Sequence, residues 1–192
     1  MAIWVTSDFH FNHKNVINMG RKFDTIEQHN NYIVDQFNSV VGKDDLVYVL
    51  GDVGFTPLKD VKTWVSRLNG RKVLILGNHD KGRIGEYRSM GFIEVLTHPF
   101  YYSDQIILSH LPLRECLNNP YCINVHGHLH FNYLELPNFF NCNIDMNNYK
   151  PVNIKVYEEL ARKYCKENNK EKRFETFGQE WYYNYYHIKK QK

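Results

Sequence analysis

Apolar residues along this chain gather into short dense runs instead of spreading evenly. Four runs are strand-length: "IWVTS" (Ile3 to Ser7), "LVYVLG" (Leu46 to Gly51), "VLILG" (Val73 to Gly77) and "IILSH" (Ile106 to His110). Each is rich in Val, Ile, Leu or aromatic residues and too short for a helix. Unbroken apolarity predicts strands buried on both faces, as in a sheet covered by helices. Helical periods lie between them. Ile26, Ile33, Val34 and Phe37 form one stripe, with Asp24 as its N-cap and Glu27 as the capping-box partner. Leu58, Val61, Trp64, Val65 and Leu68 form another, opening with Pro57 after Thr56 and stopping at Asn69-Gly70. Strand and helix thus alternate through the first half, which predicts an α/β layered domain. From Phe92 onward short strands follow one another: a hairpin in "YYSDQIIL" turning at Ser103-Asp104, then "YCINVHG" and "FFNCNID". A helix from about Val152 to Cys165 closes the pattern.

Composition narrows the class. At 192 residues, with 43% apolar and 23% charged residues, the chain suits one soluble globular domain. Residues 1–165 are expected to form it, and 166–192 to be a charged and aromatic extension docked on the same body. A net charge of +3 is too small to argue for nucleic acid or a membrane surface. "MAIWVTSDFH" is too short for a signal-peptide core, and no apolar run approaches the roughly 18 residues of a membrane span. A cytoplasmic protein with no membrane partner is therefore expected. Cys116, Cys122, Cys142 and Cys165 are scattered and read as free thiols in a reducing compartment. "KENNKEKR" reads as a solvated run, after which seven aromatics fall between Phe174 and Tyr186 ahead of a basic end. That segment either docks on the body, serves a partner subunit such as a second copy in a homodimer, or stacks nucleic-acid bases.

The polar residues that end the apolar runs carry the chemistry. The first run ends in Asp8 and His10, the second in Asp52, the third in Asn78, His79 and Asp80, and the fourth in His110. "VHGHLH" then adds His126, His128 and His130. Loops leaving the carboxyl ends of strands in α/β sheets converge on one crevice. One Asp at a strand end is ordinarily a cap or turn former, but five terminations in one chemical vocabulary exceed that explanation. Carboxylates, imidazoles and an amide oxygen suit divalent manganese, iron, nickel or zinc. Asp8, His10, Asp52, Asn78, His110, His128 and His130 are too many for one ion, whereas one shared carboxylate turns them into two sets of four. Two metals about 3.5–4 Å apart stabilise both the attacking and the leaving oxygen of phosphoryl displacement. In an extended loop His128 and His130 point the same way, so that one faces each metal. His126 is then structural or placed behind the ligands. With no cysteine in the cluster, a structural zinc site is disfavoured.

These blocks resemble the calcineurin-like metallophosphoesterases, whose pattern is D-x-H, G-D, G-N-H-D/E, H and G-H-x-H. Here it reads Asp8-Phe9-His10, Gly51-Asp52, Gly77-Asn78-His79-Asp80, His110, and Gly127-His128-Leu129-His130, about two thirds of the chain. "NCNIDMNNYKPV" also looks like the closing strand of small bacterial and phage members. The resemblance implies a four-layer α/β/β/α sandwich with a dinuclear site, manganese first and iron, nickel or zinc as alternatives. It implies Asp8, His10, Asp52 and His130 around one metal, and Asp52, Asn78, His110 and His128 around the other. In the implied mechanism a hydroxide bridging both ions attacks phosphorus in line. His79, just outside the metals, then donates a proton to the leaving oxygen. Asp80 is expected as a cap or an acceptor behind the ligands.

Departures from the pattern bear on substrate. "GDVGFTPLKD" lacks the Asp and Arg that the protein-phosphatase branch carries after its G-D block. This disfavours a phosphoprotein substrate and leaves His79 without that branch's acidic partner. The chain has no room for a large cap domain, so the site is expected to be open or covered only by loops. Asn12 and His13 after the first block, Arg83 in "HDKGR" and Arg114 in "HLPLRE" are candidates for binding substrate phosphate. His29, His98 and His187 receive no role. The expected activity is hydrolysis of small nucleotide-like phosphate esters, diesters preferred. The alternatives are a nuclease gripping single strands through its C-terminal segment, and a retired scaffold, against which stands a complete ligand set.

Overall fold

The computed structural model describes residues 1–55 and 57–168. Thr56, the aromatic run from Phe174 to Tyr186 and His187 lie outside the described residues, as does nearly all of the expected extension. In chain order the elements are β1 (Ile3–Thr6), α1 (Ile26–Asn38), β2 (Leu46–Val49), α2 (Leu58–Val65), β3 (Arg71–Ile75), α3 (Ile84–Ser89) and β4 (Phe92–Leu96). There follow β5 (Phe100–Ser103), β6 (Ile106–Ser109), β7 (Ile123–His126), β8 (Phe139–Asn141), β9 (Val152–Asn153) and α4 (Ile154–Glu167). Short 3-10 helices occupy Lys14–Met19, Arg114–Cys116 and Ile144–Met146.

Two sheets result. The first has the order β4-β3-β2-β1-β9, parallel except for β9. The second runs β5-β6-β7-β8, with an antiparallel β5-β6 hairpin and parallel pairing thereafter. The apolar runs are unbroken because each strand of the first sheet has two apolar faces to fill. Val47, Val49 and Leu74 meet Ile33, Val34 and Phe37 of α1, Val61 and Val65 of α2 and Tyr87 of α3. Val5, Tyr48, Leu50, Val73 and Ile75 turn the other way, onto Ile106, Leu108, Ile123 and Val125 of the second sheet. Ile154, Tyr157 and Ala161 of α4 enter that inter-sheet core too. The outer face of the second sheet, with Ile107 and Phe139, is covered by Cys116, Cys122 and the loop leucines Leu113, Leu134 and Leu136. The molecule is thus a mixed α/β sandwich of two sheets flanked by helices. All four cysteines are buried. Among the described residues no helix is long and apolar enough to cross a membrane.

Local departures from the sequence expectation have identifiable causes. The N-cap of α1 is Thr25, not Asp24: its hydroxyl accepts from Gln28 N at 3.1 Å, while Gln28 Oε1 takes the Asp24 N–H at 3.1 Å. Gln28 therefore takes the place expected for Glu27, one residue on. α2 ends at Val65 because Arg67 N and Leu68 N bond back to Trp64 O and Val65 O, an i to i+3 tightening of the last turn. The hairpin turns at Asp104-Gln105, one residue late, with a register shift between Tyr101 and Ser103. Val152 and Asn153 pair with β1 before α4 begins, capped by Asn153 Oδ1 on Lys155 N at 3.1 Å.

Phe37 is fully buried and meets Phe9 edge-on at 5.9 Å, joining α1 to the loop that carries Asp8 and His10. Phe37→Ala is expected to cost about 3–5 kcal/mol of stability through lost burial and cavity formation. Urea denaturation followed by circular dichroism checks this, and a loss below about 1 kcal/mol would contradict the packing described.

Candidate metal centre

The strands deliver their terminal residues to one place because backbone hydrogen bonds continue past the formal sheet ends. Asp8 N donates to Gly51 O and His10 N to Asp52 O, each at 3.0 Å, and Gly127 N donates to His110 O at 3.0 Å. Gly51 (φ +83°) marks a close approach of backbones, since a Cβ there would stand 2.6 Å from the Gly77 backbone and 2.7 Å from His110 Nδ1. Five of the seven expected ligands have left-handed backbone: Asp8 (φ 61°), His10 (51°), Asp52 (53°), His128 (69°) and His130 (49°). Such conformations cost an L-residue free energy and cluster at functional sites.

The side chains converge in two clusters, Asp8 with His10 and His130, and Asp52 with His110 and His128. Within each, one ligand atom per residue lies within 4.8 Å of the others. Asp52 Oδ2 stands between them, 3.7 Å from His10 Nε2 and 3.4 Å from His110 Nε2. Asp8 Oδ1 and His10 Nε2 are buried and have no hydrogen-bond partner, although they are 3.9 Å apart. In the second cluster Asn78 Oδ1 lies 2.7 Å from His110 Nε2 and 3.0 Å from His128 Nδ1. The Leu50 carbonyl at 2.8 Å holds the His110 proton on Nδ1. Nε2 is thereby turned to the Asn78 amide oxygen, and both atoms stand beside Asp52 Oδ2, which is 3.4 Å from Nε2. Donor atoms that lack donors of their own are what a metal pair requires, and the residues present fit it.

Burial sets the protonation states. It pushes the Asp8 carboxyl up to about 6, against the opposing pull of His110 and of the Ser7 hydroxyl. Burial, reinforced by the Arg21 charge, holds His10 far below the usual imidazole range, so its ring is neutral and able to ligate. His128 and His13 are lowered for the same leading reason.

Several groups behind the candidate ligands hold them in place. Asp80 accepts from Asp52 N (2.7 Å), Gly77 N (2.8 Å) and Val53 N (3.1 Å), which matches the expected role as an acceptor. His126 ends β7, fully buried against Phe139, with Nδ1 2.9 Å from Gly127 O. The decisive support was invisible in the motifs. His130 Nδ1 lies 2.8 Å from Asp145 Oδ2, and Asp145 is gripped by Arg21 through Nε at 2.7 Å and Nη2 at 2.9 Å. Arg21 also donates to the Asp8 carbonyl at 2.6 Å and the Phe9 carbonyl at 2.9 Å. Burial works against the Asp145 carboxylate, but the hydrogen bonds from His130 and Arg21 outweigh it and hold it below its usual range. His29, given no role above, takes an Arg21 N–H on Nε2 at 2.9 Å.

The remaining candidates divide. His79 is exposed at the rim, its backbone N–H on Asp52 Oδ1 at 2.9 Å and its ring 5.6 Å from that of His10. His13 stands beside His10, with 3.4 Å between the Nδ1 atoms. Asn12 has its amide oxygen engaged, accepting from Trp64 Nε1 at 3.0 Å and from Asn30 at 2.8 Å. Arg83 caps α3, its N–H on Glu86 Oε2 at 2.6 Å, and its side chain is exposed. Arg114 is exposed at the start of a 3-10 turn.

Comparison with known proteins agrees with this architecture. A family model described as calcineurin-like phosphoesterase matches residues 1–191. An uncharacterised protein of Methanocaldococcus jannaschii, MJ1445, is 33% identical over 176 residues, covering 84% of this chain and 92% of its own length. The gene 66 protein of Mycobacterium phage L5 is 42% identical over 80 residues, 40% of this chain and 39% of that protein. Among solved structures, the protein of unknown function AQ665 from Aquifex aeolicus superposes with a TM-score of 0.66 at 26% identity, covering 83% of this chain and 98% of its own. With two sheets meeting at two adjoining candidate metal-binding clusters and a family match along nearly its whole length, the chain belongs to the calcineurin-like phosphoesterases.

Proposed function

We propose that this protein is a metal-dependent phosphoesterase that hydrolyses small phosphate esters, diesters in preference to monoesters. The observation that supports it most is the pair of buried acceptors without a partner, Asp8 Oδ1 and His10 Nε2, next to a second cluster in which Asn78 Oδ1 faces His110 Nε2 and His128 Nδ1. Asp8, His10, Asp52 and His130 would hold one divalent cation, and Asp52, Asn78, His110 and His128 the other, with manganese the first candidate. Two such cations supply charge against the phosphoryl oxygens and lower the pKa of water at the centre.

The chain's own residues do the rest. Asp52, held by the His79 N–H and with Asp80 on its own backbone N–H, keeps its second oxygen between the clusters. His130 is oriented because Asp145 holds its Nδ1 proton, which directs Nε2 toward Asp8 and His10. His79, exposed beside His10, is placed to give a proton to the leaving oxygen. His13, next to His10, is in reach of a bound phosphate.

Three outcomes test this reading. Purified protein supplied with manganese is expected to hydrolyse aryl phosphodiesters, and Asp52→Ala to abolish that turnover; no turnover on a panel of mono- and diesters would refute the assignment. His79→Ala is expected to lower kcat by about 10²–10⁴-fold on alkyl esters. The effect should be much smaller on p-nitrophenyl esters, whose leaving group needs no proton, and equal losses on both would remove His79 from the acid role.

Metal binding should also depend on pH in a defined direction. Asp8 is raised to about 6 in the folded chain against 3.8 ordinarily, so its contribution to metal-free stability is present at low pH and lost as pH rises through 6. A cation needs the ionised form, so the gain in Tm on adding manganese should be larger at pH 7 than at pH 5. Asp145→Asn should weaken one of two metal equivalents by about 10–100-fold while sparing the other, as read by calorimetric titration. Uniform loss of both equivalents would refute separate clusters.

A further inference from the structure

The metal cluster is flanked by two clefts of different chemistry. The larger, about 660 Å³, is lined by His13, Phe55, Pro57, Trp64, Ile26 and Asp60 among others, a size within the roughly 300–1,000 Å³ of small-molecule sites. The smaller, about 370 Å³, runs past Asn78, His110, Pro99, Leu111 and Leu113 and has no Phe, Tyr or Trp in its lining.

His13 is the wall shared by the larger cleft and the metal cluster. Its imidazole stacks on Phe55 with 4.6 Å between ring centroids and 12° between planes, while its Nδ1 lies 3.4 Å from that of His10. Trp64 is fixed on several sides: Nε1 donates to Asn12, its ring stacks over Phe11 at 6.2 Å, and the Arg67 guanidinium sits 4.8 Å away. Phe55 remains 43% exposed beside them. Aromatic side chains held firmly at a cleft mouth suit a planar ligand, because every heteroaromatic base offers a π-face. The charged lining residues are Lys14 and Asp60, which cancel, so the cleft does not call for a second anionic group. A carboxylate only accepts hydrogen bonds, and Asp60 therefore favours a ring edge that carries N–H.

Direction follows from His79. Its ring is 5.6 Å from His10 and 6.4 Å from His13, which puts the donor for the leaving oxygen on the side of the larger cleft. We propose that this cleft seats the leaving group, and that the leaving group is a nucleoside with a neutral, amine-bearing base. The inference rests on the phosphoesterase reading. Water forms the new P–O bond, the bond from phosphorus to the nucleoside oxygen breaks, and the proton on that oxygen comes from His79. A diester and water thus give a monoester and a free nucleoside.

The test compares adenosine 5′-(methyl phosphate) with ribose 5′-(methyl phosphate), using the full chain supplied with manganese. The adenosine ester is expected to have a kcat/KM roughly tenfold higher or more, the scale of one stacked base. Its products should be adenosine and methyl phosphate. In Phe55→Ala the ratio of the two esters should fall to near one, a readout that a general loss of activity would not move. Equal kcat/KM values in the wild type, AMP and methanol as products, or an unchanged ratio in Phe55→Ala would each overturn the cleft assignment while leaving the phosphoesterase reading intact. No turnover of either ester while aryl phosphodiesters are still hydrolysed would overturn the cleft assignment alone, and no turnover of aryl phosphodiesters as well would overturn both.

Discussion

Arg21 is 1% exposed, and each of its five N–H donors has an acceptor. A buried cation is costly unless it is paired and fully hydrogen-bonded. Here the pairing is bidentate to Asp145, and the other bonds reach the carbonyls of Asp8 and Phe9 and the ring of His29. The same guanidinium thus fixes the backbone of the first ligand block and, through Asp145, the ring of His130. Because His29 Nε2 accepts from Arg21, its proton sits on Nδ1, where Asn30 Oδ1 takes it at 2.9 Å. Asn30 in turn gives its amide to Asn12. Burial and the Arg21 charge bring His29 down to about 4, so the ring stays neutral and the chain of donors keeps its sense at ordinary pH.

Such anchoring is needed because the loops that carry the candidate ligands are not relaxed. Left-handed backbone at Asp8, His10, Asp52, His128 and His130 costs of order 1 kcal/mol or more apiece. Asp and His tolerate that region better than branched residues do, which is one reason the motif can be written in them. The conformations persist because Asp80 ties Asp52, Val53 and Gly77 together, and because Asp8 Oδ2 accepts the His128 N–H at 3.0 Å. Gly127 has to be glycine for the same reason: a Cβ would run into Asp8 Oδ2 and Ser7 Oγ.

The parts of this arrangement that could be read in the chain are those written locally. Strand runs announce themselves by unbroken apolarity, and ligand blocks by Asp, His and Asn at their ends. Arg21 and Asp145 are a different case. They lie 124 residues apart, in stretches where an arginine or an aspartate has no periodic neighbour to mark it. Their partnership exists only once both loops are folded. The same holds for the tie between Asn12 and Trp64, 52 residues on, whose Nε1 donates to the Asn12 amide oxygen. Thr25 in place of Asp24 is a milder failure: "DTIEQ" offers two cap residues and two partners, and the register is chosen by how Ile33, Val34 and Phe37 meet the sheet.

Each cluster also draws on both sheets. Asp8 and His10 follow β1 while His130 follows β7, and Asp52 follows β2 while His110 and His128 follow β6 and β7. Between the sheets lies one apolar core, in which Val5, Leu50 and Ile75 face Leu108, Ile123 and Val125. Close packing makes that spacing stiff, because interiors resist changes of even a methylene. The distance between donor atoms is therefore set by side chains that never touch a ligand. A cation pair held across the seam would bind one sheet to the other, and coordination and inter-sheet packing would then stabilise the same geometry. A substitution that thins the core should in consequence loosen the site before it unfolds the domain.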